Sequence, residues 1–164
     1  MLQTKRADFS GIAARFHISP VTARIIRNRD VEGETAIDRY LNGTLDQLYD
    51  PHLMKDMDKA ASLILEKIQA GARIRIVGDY DIDGVCSTYL LYRGLSRCGG
   101  HVDYQIPERI RDGYGINESI IRKAKEDGID TIVTCDNGIA ALEQVRLAKE
   151  LGMTVIVTDH HEVV

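Results

Sequence analysis

Three carboxylates at alternate positions, Asp79, Asp81 and Asp83, follow the apolar run Ile74-Arg75-Ile76-Val77-Gly78 and end at Gly84. Like charges this close repel one another, and a chain carries them beside a buried strand only where a cation or another compensating partner occupies the site. The chemistry that fits is metal binding. The calcium-loop pattern D-x-[DN]-x-[DN]-G matches Asp79, Asp81, Asp83 and Gly84, but its twelfth position, where a bidentate Glu belongs, is Leu90. The segment before Asp79 also alternates as a strand does. A solvated acidic turn is the plainer alternative for this stretch taken alone. Two distant stretches decide against it: Val133-Thr134-Cys135 leads into Asp136-Asn137-Gly138, and Val157-Thr158 leads into Asp159-His160-His161.

The elements between these stretches determine whether they meet. From residue 73 the pattern predicts strand 73–77, helix 85–97, strand 102–106, helix 118–126, strand 131–134, helix 141–151 and strand 154–158. Strands and helices in turn predict an α/β domain with a parallel sheet covered by helices on both faces. Gly99-Gly100, Gly128 and Gly152 stand where each helix must stop before the next strand. Right-handed crossovers place the carboxyl ends of all parallel strands on one edge, where ligands of such folds bind. Asp79, Asp81, Asp83, Asp136, Asp159, His160 and His161 are therefore expected at one rim.

Carboxylates mixed with imidazoles suit a borderline-hard divalent ion such as manganese, with magnesium, zinc or cobalt as alternatives. Seven candidate ligands exceed what one ion needs. Two ions about 3.5–4 Å apart that share a carboxylate would use them, and would hydrolyse phosphoesters by activating a water and steadying the transition-state charge. The second histidine of the pair would be left to donate to a phosphate oxygen.

The rest of the chain sets bounds. A length of 164 residues, 44% hydrophobic, describes one ordinary domain or one domain with a small appendage. No apolar run is long enough to span a bilayer and the first residues lack a signal-peptide h-region, so the expected location is cytoplasmic, with no membrane partner. Three cysteines, Cys86, Cys98 and Cys135, without C-x-x-C spacing read as reduced, mostly buried thiols. A net charge of -4 gives no whole-chain attraction for a polyanion. Residues 1–50 form a short helical N-terminal segment, with Ser19-Pro20 opening a helix over 21–29 and a second helix over 34–41. Arg24, Arg27 and Arg29 there read as a solvated face. Asp50-Pro51 opens a longer helix, closed by Gly71, that delivers the chain to the first strand.

The stretches Gly78-Asp79-Tyr80-Asp81-Ile82-Asp83-Gly84, Thr134-Cys135-Asp136-Asn137-Gly138 and Asp159-His160-His161 resemble the first three motifs of the DHH phosphoesterase superfamily. Within it the chain resembles the RecJ family of single-stranded-DNA-specific exonucleases. That likeness rests on Leu48-Tyr49-Asp50-Pro51-His52-Leu53-Met54-Lys55-Asp56-Met57-Asp58-Lys59-Ala60 and on Tyr104-Gln105-Ile106-Pro107-Glu108-Arg109 running to Gly113-Tyr114-Gly115. It covers the chain from about Val21 onward.

The resemblance implies a two-manganese enzyme, with magnesium as an alternative, that releases nucleotides from the 5′ end of single-stranded DNA in repair and recombination. By position, Asp81 would bind one ion, Asp83 and His160 the other, and Asp136 would bridge them. His161 would contact the scissile phosphate, and Asp79 and Asp159 would ligate or orient. Where some superfamily members carry a His four residues before this Asp cluster, Val77 stands here, which leaves Asp79 to serve that ion. Arg109, Arg111 and Tyr114 would grip a phosphate or stack on a base, or simply form a turn held by Gly113 and Gly115. The family's fourth metal-binding Asp and its closing second domain lie downstream of the DHH motif. The expectation is thus a DHH domain over 51–164 that acts with the remaining C-terminal part of the same protein. A non-catalytic scaffolding relative, or a pyrophosphatase or small-nucleotide phosphodiesterase, are the competing readings.

Overall fold

A computed structural model of the protein describes residues 5–108 and 113–162. The chain divides into two compact units, Met1–Leu53 and Met54–Val164. In the first, helices α1 (Phe9–Phe16), α2 (Pro20–Asn28) and α3 (Glu34–Asn42) bury Ala13, Ala23, Ile26 and Ile37. Ser19 accepts the Thr22 amide and Pro20 takes the first helical position, so α2 starts where its capping residues direct. Arg24 lies over the Phe9 ring at 4.6 Å and Arg27 pairs with Asp30 and Glu32, so two of the three arginines have partners inside this unit.

The long helix expected from Asp50-Pro51 begins later. Asp50 accepts the His52 amide and closes a 3-10 turn over Pro51–Leu53, and Asp56, at φ 57°, interrupts the helical path before α4 (Met57–Gln69). From there the second unit alternates as expected: β1 (Arg73–Val77), α5 (Ile82–Arg97), β2 (His101–Gln105), α6 (Glu118–Glu126), β3 (Thr131–Cys135), α7 (Leu142–Glu150) and β4 (Thr154–Thr158). Helix α5 starts three residues ahead of its expected position because the Asp81 carboxylate accepts the Gly84 amide and caps it. Asp83 consequently sits in the first helical turn.

All four strands are parallel, in the order β2-β1-β3-β4. Alternate residues face opposite sides. Ile74, Val133 and Ile156 pack with Ala60, Leu63, Ile64 and Ile68 of α4 and Leu91 and Leu95 of α5. Val77 and Ile132 pack on the other face with Ile120, Ile121 and Ala124 of α6 and Ala148 of α7. The order reverses between β1 and β3, because the chain goes from β1 outward to β2 and then crosses back. Such a reversal opens a crevice at the carboxyl ends of the two central strands.

One expectation about the cysteines is corrected. Cys86 and Cys98 are exposed on or beside α5, whose outer face also exposes Ile82, Tyr89 and Leu90; Cys135 alone is buried, with its Sγ 3.4 Å from the Thr88 hydroxyl.

Candidate metal centre

The loop after β1 turns tightly into α5, and its glycines make that possible. A Cβ on Gly78 would lie 1.9 Å from Thr88 Oγ1, and one on Gly84 would lie 2.5 Å from the Asp79 carbonyl oxygen. Asp79 is 1% exposed, and its Oδ1 has no hydrogen-bond partner. Asp81 is exposed at the cap of α5, and Asp83 is exposed one turn further in.

Across the switch point, Asp136 follows β3 with φ 61°, a left-handed conformation. It is 7% exposed. His160 Nε2 stands 2.9 Å from Asp136 Oδ1, within ion-pair range, yet that buried oxygen accepts no aligned hydrogen bond. The Asp81 carboxylate is also within hydrogen-bonding reach of Asp136. Burial, and then the Asp81 charge, push the Asp136 carboxyl above its ordinary value, while Asp81 is lowered, chiefly by the Gly84 amide. Asp136 is thus the member of the pair whose charged form is the more disfavoured when no cation is present.

The loop after β4 supplies the remaining side chains. Asp159 Oδ2 accepts the Ile139 amide at 3.0 Å, and Oδ1 accepts the His161 amide at 3.1 Å and lies 2.7 Å from His161 Nδ1. Burial pushes the Asp159 carboxyl up, but the Ile139 amide and the His161 ring outweigh it and hold it below the ordinary value. Asp159 in turn raises His161. Both Asp159 oxygens are engaged, Oδ2 by the Ile139 amide and Oδ1 by His161. Tyr114, on the loop after β2, donates to the Asp136 carbonyl oxygen at 3.1 Å. Burial and the surrounding carboxylates, Asp79 first, raise its phenol to about 12, so it is a donor at any physiological pH.

The rim therefore unites most of the residues singled out by sequence. Asp136, His160 and His161 present ligand atoms within 4.8 Å of one another, the group of this kind found among the described residues. Asp81 joins through Asp136. Asp79 is buried in the same loop as Asp81, while Asp83 lies outside the tight group. Arg109 and Arg111 fall outside the described residues. Sequence reasoning gave no role to Asn137, which is 1% exposed and fully used: its Nδ2 donates to the Val77 and Cys135 carbonyl oxygens at 3.0 and 2.9 Å, and its Oδ1 accepts the Ile116 amide at 3.1 Å. It ties β1, β3 and the loop after β2 together under the site. The Asn-Gly pair after a strand signals a turn, which conceals this role. Beside His161 a cavity of about 690 Å³, lined in part by Tyr114, Asn137 and Gln144, extends from the rim.

Two buried carboxylate oxygens without donors, and two carboxylates that repel each other, are what a divalent cation would satisfy. The fold and these loops also have known counterparts. Residues 73–164 match the N-terminal domain of the DHH family. The chain belongs to the DHH family. Among its relatives, the single-stranded-DNA-specific exonuclease RecJ of Bacillus subtilis is 40% identical over 151 residues, 92% of this chain and 19% of that protein. The RecJ of Escherichia coli is 34% identical over 88% of this chain and 24% of its own length. This DHH chain thus spans roughly a fifth of the length of the curated relatives it matches. A crystal structure of exonuclease RecJ bound to manganese superposes with a TM-score of 0.65 at 37% identity, over 70% of this chain and 30% of that one. RecJ from Thermus thermophilus in complex with Mn2+ gives 0.59 at 29% identity, over 94% and 21% of the two chains, and its complex with Mg2+ gives 0.52 at 27%, over 93% and 18%.

Proposed function

We propose that the chain is the N-terminal catalytic part of a two-metal phosphodiesterase that removes nucleotides from the 5′ end of single-stranded DNA, in cytoplasmic DNA repair and recombination. The observation that carries this reading is the position of Asp136: a buried carboxylate with an oxygen that lacks a donor, set between Asp81 of one loop and His160 of another. A bridging ligand needs that placement. Asp81 would hold one cation, His160 with Asp83 the other, and Asp79 would complete the first. Manganese or magnesium ions there would supply a water of lowered pKa and positive charge opposite the developing charge on phosphorus.

The chain's own groups account for the rest. Asp159 holds Nδ1 of His161 at 2.7 Å, so Nε2, whose contact with the Tyr114 hydroxyl is the longer one at 3.4 Å, is the nitrogen that would turn to a phosphate oxygen. Asn137 keeps the loops after β1 and β3 in fixed relation, so the acceptors are in place before any ligand arrives. The RecJ relatives, whose names specify single-stranded DNA, support this substrate over pyrophosphate or a small dinucleotide. The test, run on the chain joined to the C-terminal part it is expected to act with, is manganese titration by calorimetry together with digestion of labelled single-stranded DNA, pyrophosphate and a dinucleotide, with Asp136→Asn as control. Manganese-dependent release of nucleotides from DNA alone, lost in Asp136→Asn, is expected; preferential turnover of pyrophosphate, or manganese binding indifferent to Asp136→Asn, would sink the proposal.

A further inference from the structure

We infer that Tyr114 is a positioning residue for His161, and that it acts through its hydroxyl and not by stacking its ring on a base. Its hydroxyl meets two groups from two other loops. It donates to the Asp136 carbonyl oxygen at 3.1 Å and stands 3.4 Å from His161 Nε2. With its proton committed to the carbonyl, the phenolic oxygen turns a lone pair toward the imidazole. On the opposite side of that ring, Asp159 holds Nδ1 at 2.7 Å. The imidazole is therefore gripped at both nitrogens, by groups on the loops that follow β2 and β4.

The contact at Nε2 is the longer one, as suits a nitrogen that is to pass to a phosphate oxygen. Tyr114 itself is well placed to serve as the fixed end. The next residue, Gly115, has φ 65°, and a Cβ there would come within 3.1 Å of the Asn137 side chain. Ile116 donates its amide to the same Asn137. The backbone on which Tyr114 stands is thus pinned to the buried asparagine that joins the two central strands. Its ring meets His161 edge-on, with centroids 6.1 Å apart and planes at 89°, and meets Tyr80 in the same way at 6.4 Å and 88°. The hydroxyl is the part of Tyr114 that meets the polar groups of the rim.

The consequence for hydrolysis rests on the phosphodiesterase reading; the consequence for the imidazole does not, and the experiment separates them. In the metal-free chain, nitrogen-15 spectra of the histidine rings are compared for the natural protein, Tyr114→Phe and Tyr114→Leu, with thermal melting to establish that each is folded. Tyr114→Phe is expected to shift the His161 Nε2 resonance, while His17, His52 and His101 stay where they were. An unchanged His161 spectrum in folded Tyr114→Phe would overturn the inference, whatever the protein hydrolyses. With manganese and bis(p-nitrophenyl) phosphate, both variants should lower kcat by on the order of five- to tenfold, the loss of one hydrogen bond, with KM nearly constant. Full kcat in Tyr114→Phe beside a loss in Tyr114→Leu would assign the role to the ring and refute the hydroxyl. The phosphodiesterase reading is scored separately, by Asp136→Asn.

Discussion

Replacing Asp136 by asparagine should make the metal-free protein more stable and the manganese-bound protein less so. The natural side chain is 7% exposed, with a buried oxygen that no donor satisfies and a second carboxylate beside it. Leaving such a group unmatched costs about 1–3 kcal/mol. Asparagine removes the charge, can donate an N–H toward Asp81, and adopts φ 61° at least as readily as aspartate. Because the amide is itself polar, the low end of the range applies, about 1 kcal/mol, or roughly 2–4 °C in Tm. Manganese at a hundredfold above its Kd would add about 2.7 kcal/mol to the natural protein and little to the variant, so the order of melting should invert. The difference without metal should also shrink in acid. Since the folded-state carboxyl is held above its ordinary value, its penalty operates at neutral pH and fades as the pH falls through that raised value. Scanning fluorimetry at pH 7.5 and pH 5, with and without manganese, is sufficient. If Asp136→Asn melts below the natural protein in chelator at pH 7.5, the contact with His160 Nε2 at 2.9 Å outweighs the burial and repulsion, which refutes the reasoning.

Asn137→Ala should cost about 3 kcal/mol or more by urea unfolding, since it removes three buried hydrogen bonds and strands their backbone partners. Gly84→Ala should destabilise by more than about 2 kcal/mol, its Cβ falling 2.5 Å from a backbone oxygen, whereas Gly94→Ala on the same helix, with nothing within 4 Å, should stabilise by about 0.5–1 kcal/mol. Acid should unfold the protein as the pH drops below the ordinary carboxylate value of 3.8. Asp127, through Lys123 and Arg75, and Asp159, through the Ile139 amide and His161 against its burial, are held lower than that in the folded state, so the unfolded chain takes up protons first; a melting series from pH 6 to pH 3 measures it. These 164 residues should hold single-stranded DNA weakly at physiological salt, because a net charge of -4 offers few clustered cations to displace counterions; tight, length-dependent binding by fluorescence anisotropy would contradict this.

Periodicity made the α/β alternation legible, because buried parallel strands such as Ile132-Val133 and amphipathic helices such as α6 carry unmistakable patterns. The rim was legible for a different reason: like charges beside apolar strands are too costly to lack a purpose. Partners distant in sequence stayed hidden. Arg75 reads as one outward residue of an alternating strand, yet it is 8% exposed because Asp103 and Asp127, remote along the chain, receive its guanidinium at 2.7–3.0 Å. Asn137 looked like half of an Asn-Gly turn for the same reason. Local chemistry also misled where a short side chain reorganised the backbone, as with the Asp81 cap that drew Asp83 into α5 and the left-handed Asp56 that delayed α4.

The adjacency of β1 and β3 makes the sheet a ruler. Neighbouring strands sit about 4.8 Å apart because backbone hydrogen bonds dictate it. Asp81 and Asp136 depart from the ends of those two strands, and Asn137 bolts the ends together. The distance between the two acidic loops is thus inherited from main-chain geometry common to every β-sheet, with the Asn137 side chain holding the two ends to it. In chains with such a rim, the parts free of that constraint are those around it, such as the tyrosine loop and the cavity beside His161. Such chains can change what they hold against the rim while the gap between its carboxylates stays the same.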